Sequence, residues 1–117
     1  MPDFTLPNLD AGTALARHQS GEAVLIDLRK PEARTASGEA LPGALIRDPF
    51  ALGHDDPLTE DERPLIVFCV HGHEVSQFAC ALLMLHGRDV HYVEGGFAAL
   101  KGAGAETQPL GGPDGKA

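Results

Sequence analysis

The chain of 117 residues has no tryptophan, one tyrosine and five phenylalanines. Its core must therefore be aliphatic. It has two cysteines, Cys69 and Cys80, eleven residues apart, too sparse to make a structural zinc site by themselves. No apolar run approaches the roughly 20 residues that a membrane span needs. The start, "MPDFTLPNLD", lacks a basic segment followed by an apolar one, so no secretory leader is expected. Cations are scarce: nine Lys and Arg stand against seventeen Asp and Glu, a net charge of −8. Binding to nucleic acid or an anionic membrane rewards clustered Lys and Arg, and neither is expected here. The expectation is a soluble cytoplasmic protein with reduced cysteines, monomeric by default.

What is present is enough apolar residue, 43%, for one core. Residues 1–103 read as a single domain and 104–117, rich in Gly and Pro, as a flexible tail. "NLDAGTALARHQSGE" (8–22) is expected to form a helix, with Asn8 or Asp10 as cap and Gly21 as stop. "AVLIDL" (23–28) and "PLIVFC" (64–69) are continuous apolar runs, as strands buried on both faces require. A helical turn is expected over 30–37, a second strand over 43–49, a helix over 75–87, a strand over 89–96 and a short helix over 97–102. Strands alternating with helices predict an α/β fold: a small parallel sheet of about four or five strands, flanked by helices on both faces.

In such sheets ligands bind at the carboxyl ends of the strands. One stretch there is "CVHGHEVS" (69–76), which joins the central strand to the helix expected over 75–87. A helix start leaves about four backbone N–H groups unpaired, and its dipole favours negative charge. A loop folded around the Cys69 sulfur would aim those donors at it and lower the thiol from about 8.5 towards neutrality. Gly72 permits the tight turn. Cysteine, backbone donors and glycine together describe a nucleophile held in an anion cradle. The alternative is an inert cysteine at a strand end. A metal site from Cys69, His71 and His73 fits in composition, but inward amides and outward side chains do not converge on one ion. Cys80, within "FACALLML", reads as a small core residue, with a resolving role as the alternative. Asp27 and Arg29 read as a structural pair at a strand end, and His18, His54, His86 and His91 as solvated.

Three blocks resemble the rhodanese-like family of single-domain sulfurtransferases. They are "VLIDLRKPEARTASGEALPGAL", "LIVFCVHGHEVSQFACALLMLHG" and "DVHYVEGGFAAL", in the family's order and spacing. The resemblance implies a rhodanese-like fold and a two-step cycle. Cys69 takes a sulfur from a small anionic donor such as thiosulfate or a persulfide, then passes it to a thiol or to cyanide. It implies that Val70, His71, Gly72, His73, Glu74 and Val75 bind the donor through their amides. No metal or organic cofactor is implied. The chain departs from the family in having no Arg or Lys in this loop, and in placing Glu74 where a Thr, Ser or Arg is often found. His71 and His73 are either rim charges at mildly acid pH or exposed without a role. The family's arginine near the Pro-Gly-Ala turn has no match, and Arg47 is the candidate substitute. Two other functions fit the fold type. A phosphatase or arsenate reductase would need a longer loop closed by an arginine. A non-catalytic sulfur-carrier or partner-binding module would need neither loop cations nor turnover.

Overall fold

A computed structural model of the chain describes residues 7–48, 62–70, 74–85 and 87–109. The elements run β1 (Asn8–Leu9), α1 (Ala11–Gln19), β2 (Val24–Asp27), α2 (Pro31–Ser37), β3 (Glu39–Ala40) and β4 (Leu45–Ile46). They continue as β5 (Leu65–Phe68), α3 (Glu74–Leu85), β6 (Val90–Val93), α4 (Gly96–Gly102) and β7 (Gln108–Pro109). Five strands form one sheet in the order β1-β6-β5-β2-β4. Every pairing within it is parallel.

The apolar runs explain the centre of this order. All four residues of β2 and all four of β5 are buried. Because side chains alternate across a strand, each run feeds two separate cores. Leu25, Ile66, Phe68 and Val93 pack on one face with Ala14 and Leu15 of α1 and Phe97 and Leu100 of α4. Val24, Ile26, Leu65, Val67 and Val90 pack on the other with Ala79, Cys80 and Leu83 of α3. The expected parallel α/β sheet with helices on both faces is thus what the chain forms.

Three expectations are corrected. Asn8 and Leu9 do not begin the first helix; they form an edge strand paired with Tyr92 and Val93. The helix starts at Ala11, after Asp10, whose carboxylate accepts from the Thr13 N–H at 3.0 Å and the Thr13 hydroxyl at 2.7 Å. The strand expected over 43–49 is only Leu45–Ile46. The tail is not loose as far as residue 109: Gln108 and Pro109 pair antiparallel with Ala40 and Glu39. The Glu39 carboxylate anchors that strap, accepting from Lys101 Nζ at 2.6 Å and Thr107 Oγ1 at 2.8 Å. Residues 110–117 lie outside the described residues.

Candidate functional site

Cys69 is the residue immediately after β5, between the ends of β2 and β6. It is 7% exposed. Its thiol donates to the Ser76 hydroxyl at 3.3 Å. Ser76, fully buried, sits in the first turn of α3 and faces back towards the strand end. A hydroxyl can reverse its bond, so the same contact serves the thiolate, with Ser76 as donor. Such a bond to the charged form favours ionisation. Nothing in the sequence singles out Ser76 beyond its place at the start of the helix that follows the cysteine loop.

The backbone on the other side of the sulfur is also tied. The Phe97 N–H donates to the Cys69 carbonyl at 2.8 Å, and the Ala98 N–H to the Val70 carbonyl at 3.3 Å. Both donors belong to the first turn of α4, whose N–H groups lack partners within the helix. The turn into α4 needs Gly95: its φ is +82°, and a Cβ there would stand 2.6 Å from the Ala99 Cβ. The glycines after β6 thus place α4 where it holds the carbonyl side of Cys69.

Of the expected donor-binding residues, Val70 is half-buried and follows Cys69 directly. Val75 is half-buried and packs against the core under α3. Glu74 opens α3. His71, Gly72 and His73 lie outside the described residues, as do His54 and His86. His18 is not merely solvated. Its Nε2 lies 2.9 Å from the Pro42 carbonyl, fastening α1 to the Pro-Gly-Ala turn. His91 is half-buried, with Nδ1 3.8 Å from Asp89.

Asp27 and Arg29 do form a structural pair, 1% and 2% exposed. Arg29 Nη2 donates to Asp27 Oδ2 at 2.8 Å, and Nε donates to both carboxylate oxygens at 3.1 Å. The same guanidinium donates to the Ser37 hydroxyl at 3.0 Å and the Glu39 carbonyl at 2.8 Å, and lies 4.0 Å from the Phe97 ring centroid. It therefore joins the end of β2 to α2, β3 and α4. Cys80 is fully buried, and desolvation pushes its thiol up to about 11. It is a core residue, as its apolar setting implied.

Beside this region is a cavity of about 330 Å³ at the carboxyl ends of β2 and β4. Arg29, Lys30, Glu32, Arg34, Arg47 and Asp48 line it, and Cys69 is not among its lining residues. Among the described residues no group of three or more His, Cys, Asp or Glu could hold a metal ion. Among them, too, no helix is long and apolar enough to cross a membrane.

Comparison with known proteins agrees with this geometry. The chain is 36% identical over 76 residues to thiosulfate sulfurtransferase GlpE of Pseudomonas savastanoi pv. phaseolicola, covering 64% of this chain and 69% of that protein. Among solved structures it superposes on a protein of unknown function from Rhodopseudomonas palustris, described as a possible tyrosine phosphatase. The TM-score there is 0.75 at 22% identity, over 92% of this chain and 99% of that one. It also superposes on a thiosulfate sulfurtransferase from Pseudomonas aeruginosa with a TM-score of 0.72 at 19% identity, over 90% of this chain but 20% of that one. These two likenesses show the fold. Residues 10–103 match the model of the rhodanese-like domain, and the chain belongs to that family.

Proposed function

We propose that the protein is a sulfurtransferase that moves a sulfane sulfur through a persulfide on Cys69. The observation that carries the reading is the position of Cys69: at the carboxyl end of the central strand, its sulfur 3.3 Å from a buried hydroxyl, in a chain 36% identical to a thiosulfate sulfurtransferase. In the first half-reaction the Cys69 thiolate attacks the outer sulfur of thiosulfate. The S–S bond of the donor breaks, sulfite leaves with its electron pair, and Cys69 holds a persulfide. In the second, an acceptor thiolate or cyanide attacks the outer sulfur of that persulfide and the Cys69 thiolate is released. No net oxidant or reductant is consumed. The Ser76 hydroxyl stabilises the thiolate at both ends of the cycle. Donor binding is assigned to the amides of 70–75.

Phosphoryl chemistry is the weaker reading. It needs an arginine aimed at the loop. The first arginine after Cys69 is Arg88, beyond the far end of α3, where it donates to the Arg63 carbonyl at 3.3 Å. A non-catalytic module that carries sulfur or binds a partner is favoured by one feature: residues 70–76 contain no Lys or Arg and include Glu74.

Intact mass spectrometry after treatment with thiosulfate or a persulfide separates these readings. One added sulfur is expected on the wild type and none on Cys69→Ser. No adduct from any donor would overturn sulfur transfer, and a stable adduct that no thiol or cyanide removes would leave only the carrier.

A further inference from the structure

The chain leaves strand geometry at Val70. Along a strand, successive carbonyls turn to alternate neighbours. The Phe68 carbonyl turns to the β2 side and accepts from the Leu28 N–H at 2.8 Å. The Cys69 carbonyl turns to the other side and accepts from the Phe97 N–H at 2.8 Å. The Val70 carbonyl should then turn back. Instead it accepts from the Ala98 N–H at 3.3 Å, so two successive carbonyls face the first turn of α4.

A trans peptide unit is planar, and its N–H points opposite to its C=O. The N–H edges of these two units therefore face away from α4. Away from α4 is towards α3, because the two helices cover opposite faces of the sheet: Phe97 and Leu100 pack with Ile66 and Phe68, and Ala79, Cys80 and Leu83 with Leu65 and Val67. The Cys69 sulfur lies on that α3 side, bonded to Ser76. Successive N–H groups aimed to one side make a concavity that holds an anion.

Such an arrangement works only if the first turn of α4 is itself fixed. Phe97 is 6% exposed, and its ring meets the Arg29 guanidinium at 4.0 Å and the Phe68 ring at 6.2 Å, with the two ring planes 19° apart. Arg29 is in turn held by Asp27. At the other end of α4, Lys101 is fastened to Glu39 at 2.6 Å. α4 is thus pinned at both ends.

We infer that Phe97 and Ala98 are positioning residues for the reaction at Cys69. Their backbone N–H groups turn the first two peptide units of the loop so that its amides face the sulfur, as thiolate and as persulfide. They act through the loop and not on the donor. Arg29 acts one step further back, by seating the Phe97 ring. This rests on the sulfur-transfer reading above.

Ala98→Pro tests it on the full chain. Proline deletes one N–H, the Ala98 side chain is exposed, and the first turn of a helix tolerates proline. The readout is the rate of Cys69 alkylation by iodoacetamide against pH. The midpoint should rise by about one unit, so that alkylation below the midpoint is about tenfold slower while the alkaline plateau is unchanged. Leu100→Ala, a fully buried truncation in the same helix, should lower stability and leave the midpoint alone. If Ala98→Pro does not fold, Phe97→Leu decides, with an expected rise of about half a unit, or about threefold in rate. An unmoved midpoint in the folded variant, or an equal rise in Leu100→Ala, overturns the positioning role even if Cys69 loads sulfur. A raised midpoint in a protein whose Cys69 never takes sulfur from any donor sinks the transfer reading and leaves α4 as the support of a thiolate.

Discussion

Cys69 and Cys80 have the same side chain and belong to one small fold, yet the structure gives their sulfurs different surroundings. Cys80 faces the core under α3, among Val24, Leu65, Leu83 and Val90. Its thiol donates to the carbonyls of Val90 and Pro7, at 3.8 and 3.9 Å, which can only accept. Nothing there stabilises a thiolate, and burial pushes the thiol up to about 11. Cys69 is nearly as buried, but it meets a hydroxyl that can donate, and it stands at a strand end where a helix begins. Burial alone therefore does not decide reactivity. What decides it is whether donors or acceptors surround the sulfur.

The largest expected effect sharpens that contrast directly. At pH 8 a thiol with a pKa of about 11 is roughly one part in a thousand ionised. Iodoacetamide should then label Cys69 at least about a hundredfold faster than Cys80 in the folded protein, as read by peptide mass spectrometry. Comparable rates would erase the distinction. Next in size is the support beneath the site. Arg29→Met leaves Asp27 buried without its partner, which costs about 3–5 kcal/mol, measurable by urea unfolding. A cost below about 1 kcal/mol would show that Arg29 is not the joint described here.

The contrast also shows what a sequence can carry. The two central strands were legible because β2 and β5 are continuous apolar runs, and only a strand covered on both faces asks for one. The position of Cys69 followed from the end of such a run. The inert setting of Cys80 followed from its apolar neighbours. The bond from Cys69 to Ser76 was not legible, because it depends on which way the first turn of α3 faces. The edge strand Asn8–Leu9 has two residues and is defined only by its partner, Tyr92–Val93, more than eighty positions away. The strap at Gln108–Pro109 depends likewise on Glu39 meeting Thr107 and Lys101 across the fold. Local composition marks that segment as loose, and distant partners override it.

Ser76→Ala removes the donor that separates the two cysteines. It should raise the apparent pKa of Cys69 alkylation by about one unit and lower kcat/KM at neutral pH by about tenfold. An unchanged profile would give the loop amides the whole effect. Smaller still is the strap. Lys101 and Thr107 hold the Glu39 carboxyl below the ordinary carboxylate range. A depressed folded pKa means that the contribution is complete above the unfolded value and lost as pH falls through the folded one. Glu39→Gln should therefore flatten the acid side of the stability profile, read by thermal melts from pH 7 down to about pH 3. An identical slope in both proteins would remove the strap from the account. The smallest change is expected from Glu74→Thr. An outward carboxylate predicts less than about a twofold change in thiosulfate turnover, and a rise of about tenfold would turn it towards the sulfur.

The central claim is that Cys69, and not Cys80, carries sulfur. Intact mass after donor treatment of wild type, Cys69→Ser and Cys80→Ala tests it in one experiment. The account predicts one added sulfur on the wild type and on Cys80→Ala, none on Cys69→Ser, and loss of the sulfur when a thiol acceptor is added. A sulfur retained by Cys69→Ser, or absent from the wild type with every donor, would contradict it.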